Sequence, residues 1–308
     1  MKKIILFILI FYNINFAAAL TNPNHQWAPS NMFLIDNVSN VVMSPDGRSV
    51  AFLVTKFRKT KLGLTENNLI KIANLQTHRI EFTIKNWKKV SHLKWSPKGK
   101  YLDFLSKQND IDNIYSMSLA NHIVKKLTNS QTNITLFHRT VNNEYIAYVK
   151  ANYQLKSKII KPIVVGENPA CDNIWLMPPN PQLSNLKPAA ALTHFPIKKH
   201  CVTITSFDWS PNGEKLVYSF SPADKRDVWN YGKISSINVK TQKIYKYNKL
   251  NFIKHNPIYS PNGKWIAFTS KYRTYIISTA NAKTYALAKT SDQRPILIGW
   301  SAGKPPLK

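Results

Sequence analysis

The chain has 308 residues, enough for one large domain or two small ones, and its 44% hydrophobic content is ordinary for a globular protein with a packed core. Aromatic residues make up 12%; with frequent Val, Ile and Thr they favour β-structure, and no long Ala/Leu/Glu-rich stretch argues for helices. The formal net charge of +28 turns the surface toward anions, but the densest basic cluster, Lys56 to Lys61, accompanies no nucleic-acid motif. A solvated or envelope-facing basic surface is therefore preferred to nucleic-acid binding.

In chain order, the first element is a targeting segment. Lys2 and Lys3 precede an apolar core, Ile4 to Phe11, and Ala17-Ala18-Ala19 supplies a small-residue cleavage site after Ala19. The apolar run is short for a membrane span, and Asn13 and Asn15 interrupt its far end. The expectation is a signal peptide over 1–19, a folded domain over 20–308, and a periplasmic or secreted product; an uncleaved anchor is the alternative. No Cys follows the cleavage site, which argues against a lipoprotein.

A nonamer then recurs. It reads SPDGRSVAF from Ser44, SPKGKYLDF from Ser96, SPNGEKLVY from Ser210 and SPNGKWIAF from Ser260, with a degenerate copy, TVNNEYIAY, from Thr140. The seventh residue is always aliphatic (Val50, Leu102, Ile146, Leu216, Ile266) and the ninth always aromatic (Phe52, Phe104, Tyr148, Tyr218, Phe268). Ser-Pro opens a turn (Ser44-Pro45, Ser96-Pro97, Ser210-Pro211, Ser260-Pro261), and Gly47, Gly99, Gly213 and Gly263 supply the residue that tolerates positive φ. Alternating residues such as Ile266 and Phe268 against Trp265 and Ala267 predict a following strand with one buried face. Met43, Trp95, Trp209 and Tyr259 end the strand before the turn.

Further stretches, from NNLIKIANLQTHRIEFT to RTYIISTANAKTYALA, each read as strand, polar turn, strand. The unit is thus four strands in about 40–50 residues, the size of a propeller blade. Successive copies start 52, 44, 70 and 50 residues apart, so the long interval holds an insertion. The fold predicted is an all-β propeller of five complete four-stranded blades, with a sixth begun at Pro295 to Trp300 and a ring that is either closed by that strand or left open. A β-sandwich with recurring turns is the alternative.

The insertion, between Lys150 and Cys201, is rich in Pro and Asn and is flanked by the two cysteines of the chain. In an exported protein Cys171 and Cys201 are a disulfide candidate. The alternative, a metal site of Cys171, His194, His200 and Cys201, lacks a tight Cys-x-x-Cys pair. Asp110-Ile111-Asp112-Asn113 lacks the rest of a calcium loop and reads as a polar turn.

The nonamer resembles the propeller repeat of TolB-type periplasmic proteins and of the N-terminal domain of the prolyl oligopeptidase family, including its acylaminoacyl- and dipeptidyl-peptidase branches. The resemblance covers about residues 32 to 303. Met32 to Phe52 enters the first blade directly, as in exported peptidases of that family, without the α/β domain that precedes the TolB propeller. ENNLIKIANLQTHRI is similar to the family's Leu-x-x-x-Asp-Leu-x-Thr-Gly strand pair, with Asn74 in place of Asp and His78 in place of Gly. The resemblance implies a substrate-gating or protein-binding domain. No Glu-Glu pair occurs, so the amine-binding role of the dipeptidyl branch has no counterpart. The family's catalytic α/β-hydrolase domain would need on the order of 200 residues beyond Lys308.

Gly299-Trp300-Ser301-Ala302-Gly303 has the letters of a nucleophile elbow. Neither an acid nor a His follows Ser301, and Pro305 and Pro306 oppose the helix an elbow must lead into. Against Trp95-Ser96 and Trp209-Ser210 it aligns as a worn propeller turn. The reading is therefore an exported propeller without catalytic residues, cofactor or metal. Its partner would be a peptide or protein, including a separately encoded hydrolase domain, with an anionic envelope surface as a further partner. The alternatives are a TolB-like periplasmic protein-binding propeller and a remnant of a serine peptidase.

Overall fold

A computed structural model of the chain describes residues 36–60, 63–108, 110–151, 171–179, 189–195, 201–223, 230–247, 253–270 and 273–289. The predicted signal peptide and the start of a sixth blade lie outside them, as does most of the insertion.

The described residues form five separate four-stranded antiparallel sheets, each a simple meander. Blade 1 holds β1 (Asn37–Met43), β2 (Ser49–Thr60), β3 (Gly63–Asn74) and β4 (Arg79–Trp87). Blade 2 holds β5 (Val90–Trp95), β6 (Tyr101–Gln108), β7 (Ile111–Ser118) and β8 (Val124–Lys126). Blade 3 holds β9 (Ile134–Arg139), β10 (Ile146–Ala151), β11 (Asp172–Met177) and β12 (Ala190–Ala191). Blade 4 holds β13 (Val202–Trp209), β14 (Lys215–Pro222), β15 (Lys233–Asn238) and β16 (Ile244–Lys246). Blade 5 holds β17 (His255–Tyr259), β18 (Trp265–Ser270), β19 (Arg273–Ser278) and β20 (Thr284–Lys289).

The nonamer forms the first hairpin of each blade, and its opening Ser or Thr has a chemical task. The hydroxyl accepts a hydrogen bond from the amide five residues on: Ser49 to Ser44 (2.9 Å), Tyr101 to Ser96 (2.9 Å), Tyr145 to Thr140 (3.0 Å), Lys215 to Ser210 (2.9 Å) and Trp265 to Ser260 (3.0 Å). That amide starts the next strand and would otherwise be an unpaired donor. Gly47, Gly99, Gly213 and Gly263 hold φ between 66° and 72°; in the degenerate copy Asn143 takes that place at φ 60°.

Packing between blades follows a fixed parity. The seventh and ninth residues of the repeat face the preceding blade, and the eighth faces the next. Leu102 and Phe104 pack with Ala51 and Leu53 of blade 1, whereas Leu105 joins Ile146 and Tyr148 of blade 3. Leu216 and Tyr218 meet Ala147 and Val149; Val217 meets Ile266 and Phe268. The single buried face predicted for these strands is thus corrected. Ile266 is 0% exposed and Ala267 1% exposed, and in blade 4, which lies between blades 3 and 5, Leu216 and Val217 on opposite faces are both 0% exposed. Among the described residues no strand of blade 5 pairs with a strand of blade 1.

Candidate functional site: the axial channel

The innermost strand of every blade, β1, β5, β9, β13 or β17, is an edge strand that borders the axis. Each is interrupted by an irregularity in its register. In blades 1, 2 and 5 a residue at positive φ marks it: Asn40, His92 and Asn256. Bulges of this kind re-aim side chains. The Asn40 side chain accepts a bond from the His92 amide at 3.1 Å, tying blade 1 to blade 2 at this level.

Below the bulge, the residue before the strand-end position is Val42 in blade 1, Lys94 in blade 2, His138 in blade 3, Asp208 in blade 4 and Ile258 in blade 5. Three consecutive blades thus bring a cation, an imidazole and a carboxylate to one level of the channel. His138 Nδ1 lies 3.8 Å from Asp208 Oδ1, with the two side chains 34% and 20% exposed. Asp208 Oδ2 accepts the Tyr259 amide at 2.8 Å. Burial pushes the Asp208 carboxyl up to about 6, opposed by the amides of Tyr259 and Trp209 and then by Lys94. Burial lowers Lys94, with Asp208 opposing. Burial and then Lys94 hold His138 below the usual imidazole range, and His92 is lowered by the same two causes with Asp112 opposing. At neutral pH the channel therefore presents an ammonium, a carboxylate and uncharged imidazoles. It can pair both signs of charge on a ligand lying along the axis.

Sequence reasoning missed this cluster. Its signal was present two residues before each repeat's Ser or Thr, in LKWSP, FHRTV and FDWSP, where VVMSP and PIYSP carry apolar residues.

The residues singled out from sequence fall elsewhere. The Ser-Pro-x-Gly turns lie side by side at one end of the inner strands: a Cβ at Gly99 would stand 3.7 Å from Pro45 Cδ, and one at Gly263 3.5 Å from Pro211 Cδ. Cys171 and Cys201 are joined as a disulfide, Cα atoms 4.8 Å apart, where β11 starts and β13 is about to start. His194 is exposed, His200 lies outside the described residues, and among those residues no three His, Cys, Asp or Glu side chains cluster as metal ligands. Asp112 and Asn113 belong to β7. Asn113 Oδ1 accepts from Thr128 Oγ1 (2.9 Å) and the Ser130 amide (2.8 Å), and Asn173 repeats this with Thr193 (3.0 Å) and Phe195 (2.9 Å). This Asp-Asn-Ile with Leu-Thr pairing is a latch between β7 or β11 and the segment beyond its neighbour. Ser301 lies outside the described residues.

No family model and no curated protein sequence matches the chain. Solved structures do. TolB from Acinetobacter baumannii matches with a TM-score of 0.51 at 12% identity, over 85% of this chain and 55% of that one. The chain folds as a TolB-like propeller. The acylaminoacyl peptidase of Pyrococcus horikoshii is similar at a TM-score of 0.49 and 14% identity, over 86% of this propeller's chain and 48% of its own. The β-propeller domain of the trilobed protease of Pyrococcus furiosus is similar at 0.45 and 14%, over 86% and 85%. At such identities the likeness concerns the fold. The TolB-like propeller spans about half the length of the Acinetobacter TolB and the Pyrococcus horikoshii peptidase.

Proposed function

We propose that this chain is an exported, non-catalytic binding propeller that takes a segment of a peptide or protein partner at its axial channel. The observation that carries the reading is the Lys94, His138 and Asp208 cluster, three polar side chains at one level of an otherwise apolar position. A structural role would be served by the Val42 and Ile258 type of residue, as in blades 1 and 5. Charged groups cost desolvation there, and a ligand with complementary charges returns it. Export rests on the basic, apolar and small-residue order of residues 2 to 19, and the Cys171–Cys201 pair suits an oxidising compartment.

The test is capture from an envelope extract by the tagged protein and by its Lys94→Met/Asp208→Asn variant, read by mass spectrometry. The expected result is a partner held by the first and lost by the second. Equal capture by both, or capture of nothing by either, overturns the channel reading. Hydrolysis of chromogenic acyl-peptides by the purified protein, lost on Ser301→Ala, would overturn the non-catalytic one.

A further inference from the structure

Blades 1, 2, 4 and 5 each have two described hairpin turns on the same side of the molecule. The first is the Ser-Pro-x-Gly turn; the second joins the third and fourth strands. Backbone bonds fasten one to the other: the amide of Leu75 donates to Arg48 O (2.8 Å), Leu119 to Lys100 O (3.0 Å), Val239 to Glu214 O (2.9 Å) and Thr279 to Lys264 O (3.0 Å). First turns also abut those of neighbouring blades, as Gly213 does Asn142 at 3.5 Å. The result is a face built from hydrogen-bonded turns at one end of the inner strands.

This face is basic. Its first turns carry Arg48, Lys98, Lys100 and Lys264, all exposed. Its second turns carry Arg79, Lys240, Lys243 and Lys283, also exposed. Against these eight cations the same turns hold three acids, Asp46, Glu144 and Glu214. Asp46 is occupied within its turn by Ser44 Oγ and the Arg48 amide, and Glu214 by Asn212. The face is also studded with bare apolar side chains. Val141 is 54% exposed, Ile123 53% and Ile80 41%. Short apolar groups set among long cations fit the headgroup layer of a bilayer, where lysine stems lie along apolar matter and their heads reach phosphate.

We propose that this turn face docks flat on an anionic phospholipid bilayer. A nucleic acid would supply the same phosphate charge. It would lie in a groove or stack on aromatic rings; the aromatic residues flanking these turns, Tyr101, Tyr145, Tyr245 and Tyr285, are 37% to 46% exposed, and Arg139 and Lys283 already face the rings of Tyr101 and Tyr285. The proposal is independent of the channel reading.

The test uses the chain as recovered from expressing cells and sedimentation with vesicles, either of phosphatidylcholine alone or with one third phosphatidylglycerol. Two sets of variants remove equal charge. One is Lys98→Glu, Lys100→Glu, Lys264→Glu and Lys283→Glu on the turn face. The other is Lys85→Glu, Lys88→Glu, Lys89→Glu and Lys233→Glu at the opposite side. Wild-type protein is expected on the anionic vesicles only, with binding that falls as salt rises. The turn-face set should lose roughly tenfold or more in partition, the opposite set far less. Equal losses in both sets, or no preference of the wild type for anionic vesicles, overturns the proposal. So does tighter binding to duplex DNA through the same four lysines. Thermal melts confirm folding; if the turn-face set fails to fold, the four Lys→Gln changes replace it with the same expected order. Partner capture at the channel is unchanged by these variants, so the two readings fail separately.

Discussion

Gln242 sits at φ 56°, in the left-handed region, at the close of the β15–β16 turn. Its counterparts are His78, His122 and Ala282, at φ 57° to 58°. In three of these turns the amide at that position donates to the residue four back: His122 to Ser118 (2.9 Å), Gln242 to Asn238 (2.8 Å) and Ala282 to Ser278 (2.9 Å). A non-glycine residue pays for this conformation. Ala282 recovers the cost by burying its methyl in the core between blades 4 and 5, and His122 by stacking on Phe82 at 3.8 Å. Gln242 is exposed. Gln242→Gly is therefore expected to stabilise the fold by about 0.5 kcal/mol, and Gln242→Val to destabilise it by about 1 kcal/mol, in urea unfolding. The Ser-Pro-x-Gly turns were legible from sequence because the strained position holds Gly and its neighbours repeat. The second turns were legible only at His78, where a family pattern marks a missing Gly. Elsewhere three different residues, His122, Gln242 and Ala282, share one φ, and nothing in their side chains says so.

At the scale of the strand, the residue that ends the inner strand in blades 2 to 5 reaches back to the blade before it. Trp95 Nε1 donates to Val42 O and Trp209 Nε1 to His138 O, both at 3.0 Å, and the Tyr259 amide donates to Asp208. Blade 3 departs from the pattern. Its strand-end residue is Arg139, whose Nε and Nη2 bond the Asp103 carboxylate of blade 2, with Ser116 Oγ at 3.2 Å from Nη2 and Asn143 Oδ1 at 3.1 Å from Nη1. Asp103 occupies the eighth repeat position, which is Ala51, Ala147, Val217 or Ala267 elsewhere and always faces the next blade. One repeat's charge thus answers the next one's. Both residues are nearly fully buried. Arg139→Met strands a buried carboxylate and should cost about 3 kcal/mol or more, while Asp103→Ala/Arg139→Trp restores the common pattern and should recover most of it in denaturant melts. The blades themselves were legible because the period of two and the turn chemistry agree. This pair was hidden, because only the parity of facing, known from the packing, makes positions 36 residues apart into neighbours.

For the whole molecule, burial raises the carboxyls of Asp172 and Asp208 from 3.8 to about 6. The folded state then holds these protons more tightly than the unfolded chain. Their contribution to stability is complete below pH 4 and lost as pH rises through 6. His138, whose folded value is depressed, works in the opposite sense. The test is a comparison: Asp172→Asn/Asp208→Asn should gain stability relative to the wild type as pH rises from about 4 to 7, by about 5 kcal/mol with roughly half from each carboxyl, and level off above. A constant difference across that range would show that neither carboxyl titrates there. The Asn side chain keeps an acceptor for the Ile204 and Tyr259 amides, so the comparison isolates charge. Function was less legible than fold at this scale. The propeller announces itself in a nonamer, but the channel cluster is three single residues spread over 114 positions, aligned only once the blades are stacked.

Met43 gives the molecule a direction. Four junctions around the axis are clasped by a donor from the strand-end position, but Met43 in blade 1 is 50% exposed and its thioether donates no hydrogen bond. Among the described residues, the outer flank of that blade holds a small apolar cluster, Phe52, Val54 and Ala73 with Val50 and Leu69. Apolar contact has no preferred angle and lets surfaces slide, whereas a hydrogen bond fails abruptly when turned. Among the described residues, a radial load such as a wide ligand forced along the channel would therefore be met at the four clasped junctions by bonds that resist turning, while blade 1 presents apolar side chains at its flank. The choice of one side chain thus sets where the run of clasps begins.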